Sequence, residues 1–391
     1  MTAPKLRFKE FDGDWIISKL GDEAKFIQGE QVPLDDQKKQ EETGLIKFLR
    51  IENFTQKSND FRYIHFTGSQ DKVLNETDIA IVRYGATAGF ICSGKHGVIA
   101  NNLFKVKVNN NIIDQKFLEI TLKAHSTFIY FQSEMAGGAM PALNFRIVGN
   151  LKFNFPSKEE QTKIASFLSA VNEKISQLTQ KNELLSQYKQ GMMQKLFSQQ
   201  IRFKADDGSE FGEWESEKIS KVFTNKSKSF NPLLNESLPC IELEHLSQNT
   251  GQILGTVNST EQQSTKNLFE SNSVLYGKLR PYLRKFAKPK FKGVCSSEIW
   301  VLTGLKISND YLFQFVQSEE FTELTNIQSG SKMPRADWNV IADAEIEYPC
   351  LEEQIKIANF LSAIDQKIEV VAQQIEQAKT WKKGLLQQMF V

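Results

Sequence analysis

Pro156-Ser-Lys-Glu-Glu-Gln-Thr-Lys-Ile-Ala-Ser-Phe-Leu-Ser-Ala170 returns 193 positions later as Pro349-Cys-Leu-Glu-Glu-Gln-Ile-Lys-Ile-Ala-Asn-Phe-Leu-Ser-Ala363. Carried on to Phe197 and Phe390 without a gap, the two stretches are identical at about 19 of 42 positions, with Gly191, Gln194 and Phe197 matched by Gly384, Gln387 and Phe390. Such identity marks an internal repeat, which fixes the organisation of the chain before any local reading.

Both copies have the periodicity of one long helix. Ile164, Val171, Leu178, Leu185 and Met192 stand seven apart, with Leu168, Ile175, Asn182, Lys189 and Leu196 four residues on. The second copy repeats the rows as Ile357, Ile364, Val371, Ala378 and Leu385, then Leu361, Ile368, Ile375, Lys382 and Met389. This 4-3 alternation is the heptad seam of a coiled coil. A helix of about 40 residues is roughly 60 Å long, and one bare apolar stripe of that length needs a partner. The nearest partner is the other copy, although packing of each helix on its own domain satisfies the same need. Ile164, Leu168, Val171, Ile175, Leu178 and Leu185 are therefore expected to pair with Ile357, Leu361, Ile364, Ile368, Val371 and Ile375. Asn182, Lys189 and Lys382 interrupt the seam. Asn182 reads as a register-setting residue, and the lysines as stems lying along the seam with their ammonium groups in water.

The repeat reaches further. Leu6-Arg7-Phe8, Phe11 and Trp15 return as Ile201-Arg202-Phe203, Phe211 and Trp214. Each half is an aromatic lead-in, a variable region and a long helix. The predicted domains are 1–155, a first helix over 156–200, a second domain over 201–348, and a second helix over 349–391. In the first variable region 48–54, 79–84, 90–92, 103–108 and 151–155 read as strands and 114–134 as a helix. In the second, 241–246, 274–279 and 299–302 read as strands and 310–327 as a helix. Gly330, Met333 and Pro334 echo Gly137 or Gly138, Met140 and Pro141. Mixed sheet and helix predicts an α+β fold for each domain. The first helix runs directly into the lead-in at Ile201, and the lead-in at Leu6 to Trp15 fills the place due after Val391. That predicts a pseudo-twofold, effectively circular chain with close termini and antiparallel helices.

With 391 residues, 40% hydrophobic and 24% charged, the chain has the balance of a soluble protein of two or three domains. No apolar run approaches the ~20 residues of a membrane span. Four scattered cysteines, Cys92, Cys240, Cys295 and Cys350, form no disulfide framework and fit a reducing cytoplasm. A net charge of +1 excludes a uniformly basic coat, so any nucleic-acid binding must come from local patches.

The densest basic run lies in the second head. Lys278, Arg280, Arg284, Lys285, Lys288, Lys290 and Lys292 alternate with Tyr276, Tyr282, Phe286 and Phe291, with no acid between Tyr276 and Lys292. Cations mixed with aromatics suit phosphate contacts and base-edge reading, but also a solvated hairpin. The matching strand end of the first head carries Arg83 and Tyr84, followed by Lys95, Asn101 and Asn102. Arg50, Lys57 and Arg62 lie near another strand end, Arg146 follows the first helical stretch, and Ser331, Lys332 and Arg335 surround Met333-Pro334. The candidate DNA-binding residues are Arg50, Lys57, Arg62, Arg83, Tyr84, Lys95, Asn101, Asn102 and Arg146 in the first head, and Lys278, Arg280, Tyr282, Arg284, Lys285, Ser331, Lys332 and Arg335 in the second.

No catalytic constellation is legible. His65, His96, His125 and His245 are isolated from Cys, Asp and Glu at metal-ligand spacing, which predicts no metal site. No phosphate loop, dinucleotide fingerprint or nucleophile elbow occurs. Asn231-Pro232 is followed by Leu233 and lacks the aromatic that amino-methyltransferases use to stack a flipped base. Glu159-Glu160-Gln161 and Glu352-Glu353-Gln354 open the long helices, where carboxylates complement the dipole, so they are assigned to capping.

Taken together, the twin helices with Glu159-Glu160-Gln161, Ile164-Ala165 and Phe167-Leu168, the lead-ins Arg7-Phe8…Trp15 and Arg202-Phe203…Trp214, and the strand ends Arg83-Tyr84-Gly85 and Lys278-Leu279-Arg280-Pro281-Tyr282 resemble one family. It is the specificity subunit of type I restriction–modification systems. The resemblance spans the whole chain. It implies two target-recognition domains, each reading one half of a split, asymmetric double-stranded DNA sequence, with the helices setting the spacing. It also implies a non-catalytic chain carrying no cofactor. Two modification subunits bind S-adenosylmethionine and methylate adenine, and two restriction subunits use ATP and Mg. A stand-alone DNA-acting enzyme and a scaffold for protein or carbohydrate remain the alternatives.

Overall fold

A computed structural model describes residues 4–56, 58–135, 141–327 and 333–390. The chain forms two compact units, Met1–Gln177 with Ile375–Val391, and Leu178–Gln374. The divisions fall inside the long helices and not at the junctions near 155 and 348. Each unit therefore owns one head and part of each helix.

The two heptad stretches fold as single helices, Lys158–Phe197 and Leu351–Met389, of 40 and 39 residues. In the first unit Ile164, Leu168 and Val171 share a buried cluster with Leu385 and Met389. Phe167 there meets Trp381 edge to face at 5.9 Å. In the second, Asn182 Nδ2 donates to the Ile368 carbonyl at 3.1 Å, and Lys189 Nζ meets Asp365 Oδ1 at 2.6 Å. Later residues of one helix face earlier residues of the other, so within each unit the helix halves run antiparallel. Leu178, Val371 and Ile375 are buried, while Ile175, Leu185 and Ile368 are half-buried. Packing on the heads was the other possibility, and both occur. Phe117 and Leu118 lie in the cluster of Ile164 and Leu168. Phe223 and Phe315 lie with Met193, Leu196, Ile357 and Leu361. Each fully buried Leu or Ile contributes about 1.5–3 kcal/mol, so one helix supplies cores in both units.

The lysine at 189 departs from expectation. It is buried, and its ammonium is bonded to Asp365 and, at 2.7 Å, to Gln317 Oε1. Burial lowers its pKa and Asp365 opposes that shift. The cause is the helix Asn309–Phe315 and the turn after it, which cover the seam and leave the ammonium no water to reach.

The heads share one plan. In the first, an antiparallel sheet runs Ala24–Gln28, Leu103–Val108, Ile79–Val82, Ile91–Cys92, and a second sheet runs Arg62–Ile64, Ile46–Leu49, Gly97–Ile99, Val73–Leu74. In the second head the first sheet is Phe223–Thr224, Ile299–Gly304, Val274–Gly277, Phe286–Ala287, and the other has five strands. Each head closes on a two-stranded ribbon, Ile16–Lys19 with Lys152–Phe155 and Glu215–Lys218 with Glu345–Tyr348. Several predicted elements are shorter or broken. The strand over 48–54 ends at Leu49 and gives way to a helix, Ile51–Thr55. The strand over 241–246 ends at Ile241 and becomes a 3-10 turn, Leu243–His245, whose start is held by Glu242 N–H donating to His245 Nδ1 at 3.0 Å. The helices over 114–134 and 310–327 each break, into Gln115–Leu122 with His125–Met135 and Asn309–Phe315 with Glu319–Asn326. Ser318 caps the new start by accepting from Phe321 N–H.

The Glu-Glu-Gln signatures do more than cap. Glu159 and Glu352 are exposed in the first turn, but Glu160 and Glu353 are fully buried. Arg7 Nε and Nη2 donate to Glu160 at 2.8 and 2.7 Å, and Arg202 makes the same fork to Glu353 at 3.2 and 2.7 Å. These bonds raise both guanidinium pKa values. Gln161 Oε1 accepts from Asp114 N–H and its amide donates to the Ile112 and Pro156 carbonyls. Gln354 does likewise with Ser308 N–H, Lys306 and Pro349. The two duplicated phrases of the sequence are therefore partners in space.

The predicted closure of the chain is present. Leu6 N–H donates to the Gln388 carbonyl at 2.9 Å, and Ile201 N–H donates to the Lys195 carbonyl at 3.1 Å. Lys195 and Gln388 occupy the same place in the repeat. One bond thus joins neighbours in sequence in one copy and the two ends of the chain in the other.

Arg7→Met leaves Glu160 buried and uncompensated, and should destabilise the first unit by about 3 kcal/mol in urea unfolding. Replacing both, as Arg7→Met with Glu160→Leu, should return most of that loss. An additive double variant would show that the pair has no mutual energy.

Candidate nucleic-acid interface

The glycine-rich strand end of the first head and the basic strand end of the second are held by the same ladder. In the first, Arg83 N–H donates to Asn102 O at 2.8 Å, Leu143 N–H to Arg83 O at 2.7 Å, and Gly85 N–H to Pro141 O at 3.1 Å. In the second, Lys278 N–H donates to Glu298 O at 2.9 Å, Ala336 N–H to Lys278 O at 2.8 Å, and Arg280 N–H to Pro334 O at 2.7 Å. Arg83 matches Lys278, Tyr84 matches Leu279, Gly85 matches Arg280, and Asn102 matches Glu298. The echo of Pro141 in Pro334 is a shared backbone frame carrying different side chains.

Around the first frame, Arg83 bonds Gln28 Oε1, and its guanidinium lies 4.8 Å from the Tyr84 ring and 5.4 Å from the Phe145 ring. Gln28 Nε2 donates to the Asn101 carbonyl, and Asn101 Nδ2 donates to Gln31 Oε1 at 3.3 Å. Tyr84 and Asn101 are exposed, as is Arg146, whose guanidinium has no hydrogen bond or ion pair among the described residues. Arg83 Nε and Asn102 Oδ1 are buried with no hydrogen-bond partner among the described residues, and a buried polar group left unpaired calls for an explanation. The frame thus brings Arg83, Tyr84, Asn101 and Asn102 together and adds Gln28, Gln31 and Phe145, which the sequence reading missed. Gly29 carried the signal. A Cβ there would lie 2.1 Å from the Ala100 carbonyl oxygen, so only glycine lets the segment bearing Gln28 and Gln31 close on Asn101.

The other first-head candidates lie elsewhere. Arg50 and Arg62 converge on Asp60, at 3.6 and 3.7 Å, and Arg50 also pairs with Glu52 at 2.7 Å. Lys95 lies over the Phe61 ring at 5.0 Å. Lys57, like Ser331 and Lys332 of the second head, lies outside the described residues.

In the second head, tertiary neighbours divide the basic run. Lys285 Nζ donates to the Leu243 carbonyl at 2.6 Å, Arg284 turns in to the Gln317 carbonyl, Lys288 pairs with Asp310, and Lys292 pairs with Glu270 at 3.0 Å. Acids absent from the run itself arrive from other elements. Arg335 is engaged by both oxygens of Glu298, at 3.0 and 3.3 Å, which raises its pKa. Lys278 and Arg280 keep their charged groups free among the described residues, and Tyr282 beside them is exposed. Arg280 and Arg284 both hold left-handed backbone, which costs a non-glycine residue about 1–2 kcal/mol. Such a surface, with free cations beside an exposed aromatic, suits duplex DNA.

The sequence profile of the family described as "Type I restriction modification DNA specificity domain" matches residues 12–187 and again 212–380. The MjaVIII specificity subunit of a type I restriction enzyme from Methanocaldococcus jannaschii is 27% identical over 97% of this chain and 94% of its own length. The EcoDI specificity subunit from Escherichia coli is 24% identical over 64% of this chain and 63% of its own. Among solved structures, the S subunit of a type I restriction–modification system from M. genitalium superposes with a TM-score of 0.63 at 14% identity, covering 100% of this chain and 99% of that one.

Lys278→Met should lower the slope of log affinity against log salt for duplex DNA by about 1, without moving the melting temperature. Lys285→Met should do the reverse, lowering stability and leaving the slope unchanged. Gel shifts across a salt series, paired with thermal melts, separate the two.

Proposed function

The chain belongs to the type I restriction–modification DNA specificity family, a non-catalytic subunit that carries DNA recognition, and from that premise we propose that its two heads read the two halves of one split, asymmetric duplex sequence. The observation that carries this is the duplicated ladder. One backbone frame displays Arg83, Tyr84, Gly85 and Asn102 in one head and Lys278, Leu279, Arg280 and Glu298 in the other. Duplication supplies two readings, and divergence makes them unlike. Direct readout needs side chains of fixed origin and varied chemistry.

The long helices act in this reading as the ruler between the halves and as the dock for partner subunits. Tyr188 and Trp381 occupy equivalent positions in the repeat and are 51% and 54% exposed, so each helix offers an aromatic anchor of the kind that dominates protein interfaces. The partners are two modification subunits, which bind S-adenosylmethionine and methylate adenine, and two restriction subunits, which use ATP and Mg. The assembly works in the cytoplasm, where its DNA lies.

Inserting one heptad into each helix, after Leu178 and after Val371, keeps the seam in register. It lengthens each rod by about 10 Å, roughly three base pairs of DNA at ~3.4 Å each. Mapping methylated adenines in cells carrying the complete system should show two unchanged half-sequences with a longer gap. An unchanged gap would remove the helices as the ruler, and a single continuous motif would overturn the split target.

A further inference from the structure

Arg280 and Arg284 bracket the 3-10 turn Pro281–Leu283, with φ values of +52° and +47°. At Arg284 the left-handed backbone has an internal use. It turns the guanidinium inward to the Gln317 carbonyl, and Gln317 Oε1 is itself held by Lys189 Nζ at 2.7 Å. Arg280 has no such use among the described residues. Its N–H is tied to Pro334 O at 2.7 Å and its carbonyl to Leu283 N–H at 2.9 Å, yet its exposed guanidinium makes no hydrogen bond or ion pair among the described residues. At the matching node the first head carries Gly85, with φ +87°. Glycine adopts that conformation without strain, and would do so at 280. Strain that persists without an internal reason points to a side chain needed outside the fold.

We propose that Arg280 is a specificity-determining residue of the second head, donating two N–H bonds to O6 and N7 of one guanine in the major groove of the target. This rests on the heads being duplex-reading modules. A phosphate is served by a point charge, which Lys278 supplies two residues earlier. The planar guanidinium fork matches the two guanine acceptors. Both backbone bonds of Arg280 fix the origin of that fork. Arg335 does not compete, because Glu298 engages it on both oxygens. The first head, with no side chain at Gly85, cannot make this contact.

The test uses the chain assembled with its modification subunits and a pool of duplexes randomised over the target length. The wild type should enrich a two-part motif with an invariant guanine in one half. Arg280→Gly should lose the preference at that one position, bind the guanine-bearing duplex about 5- to 150-fold more weakly, and melt no lower than the wild type. Arg280→Ala should lose the same preference even if strain lowers its melting point. An unchanged preference overturns the proposal, as does uniform weakening at every position with a salt slope reduced by about 1, the mark of a phosphate contact. A wild type that enriches no two-part motif would instead remove the split-target reading beneath it.

Discussion

Each head is fastened to the long helices by one buried carboxylate. Glu160 accepts the fork of Arg7 and Glu353 that of Arg202, and neither carboxylate can reach water. A charge so placed is tolerable only while its partner stays put. The lead-in, the start of the helix and the body of the head are therefore held in one geometry. Gln161 and Gln354 extend the hold to the starts of the helices Gln115–Leu122 and Asn309–Phe315 through a backbone N–H that only a fixed acceptor can satisfy. Trp214 adds a bond to Glu353 at 3.2 Å, whereas Trp15 packs against Phe117 and Phe390. The frame is duplicated and its trimmings have drifted.

Continuity of the frame does not depend on where the chain begins. The bond from Leu6 to Gln388 repeats the bond from Ile201 to Lys195. The aromatic contact of Phe8 with Phe167 repeats that of Phe203 with Phe360, both at 5.7 Å. Because the lead-in docks the same way whether or not it is covalently joined to the preceding helix, both heads receive equal support. Selection can then alter what each head displays without disturbing how it is mounted.

Polar groups divide according to what covers them. Lys189 was expected to end in water and instead lies beneath the second head, bonded to Asp365 and Gln317. Arg284, Lys285, Lys288 and Lys292 looked like a binding surface and are held by carbonyls and acids of other elements. Arg83 and Arg280 remain at the strand ends where the shared ladder places them. In a linear run all these cations look alike. Only neighbours brought in from other elements of the chain decide which are structural.

What the sequence determined by itself was everything carried by repetition and period: the two long helices, the duplicated halves, the closure of the chain at its ends, the α+β heads and the strand ends Arg83-Tyr84 and Lys278 to Tyr282. Heptad spacing and repeated phrases survive in one dimension because each constrains residues at a fixed separation. The tertiary structure alone decided that Arg7 and Arg202 are the partners of the Glu-Glu-Gln signatures, that Gln28, Gln31 and Glu298 join the candidate surface, and which cations of the basic run face inward. Burial and charge pairing are properties of neighbours in space, and a sequence names residues without saying which of them will meet.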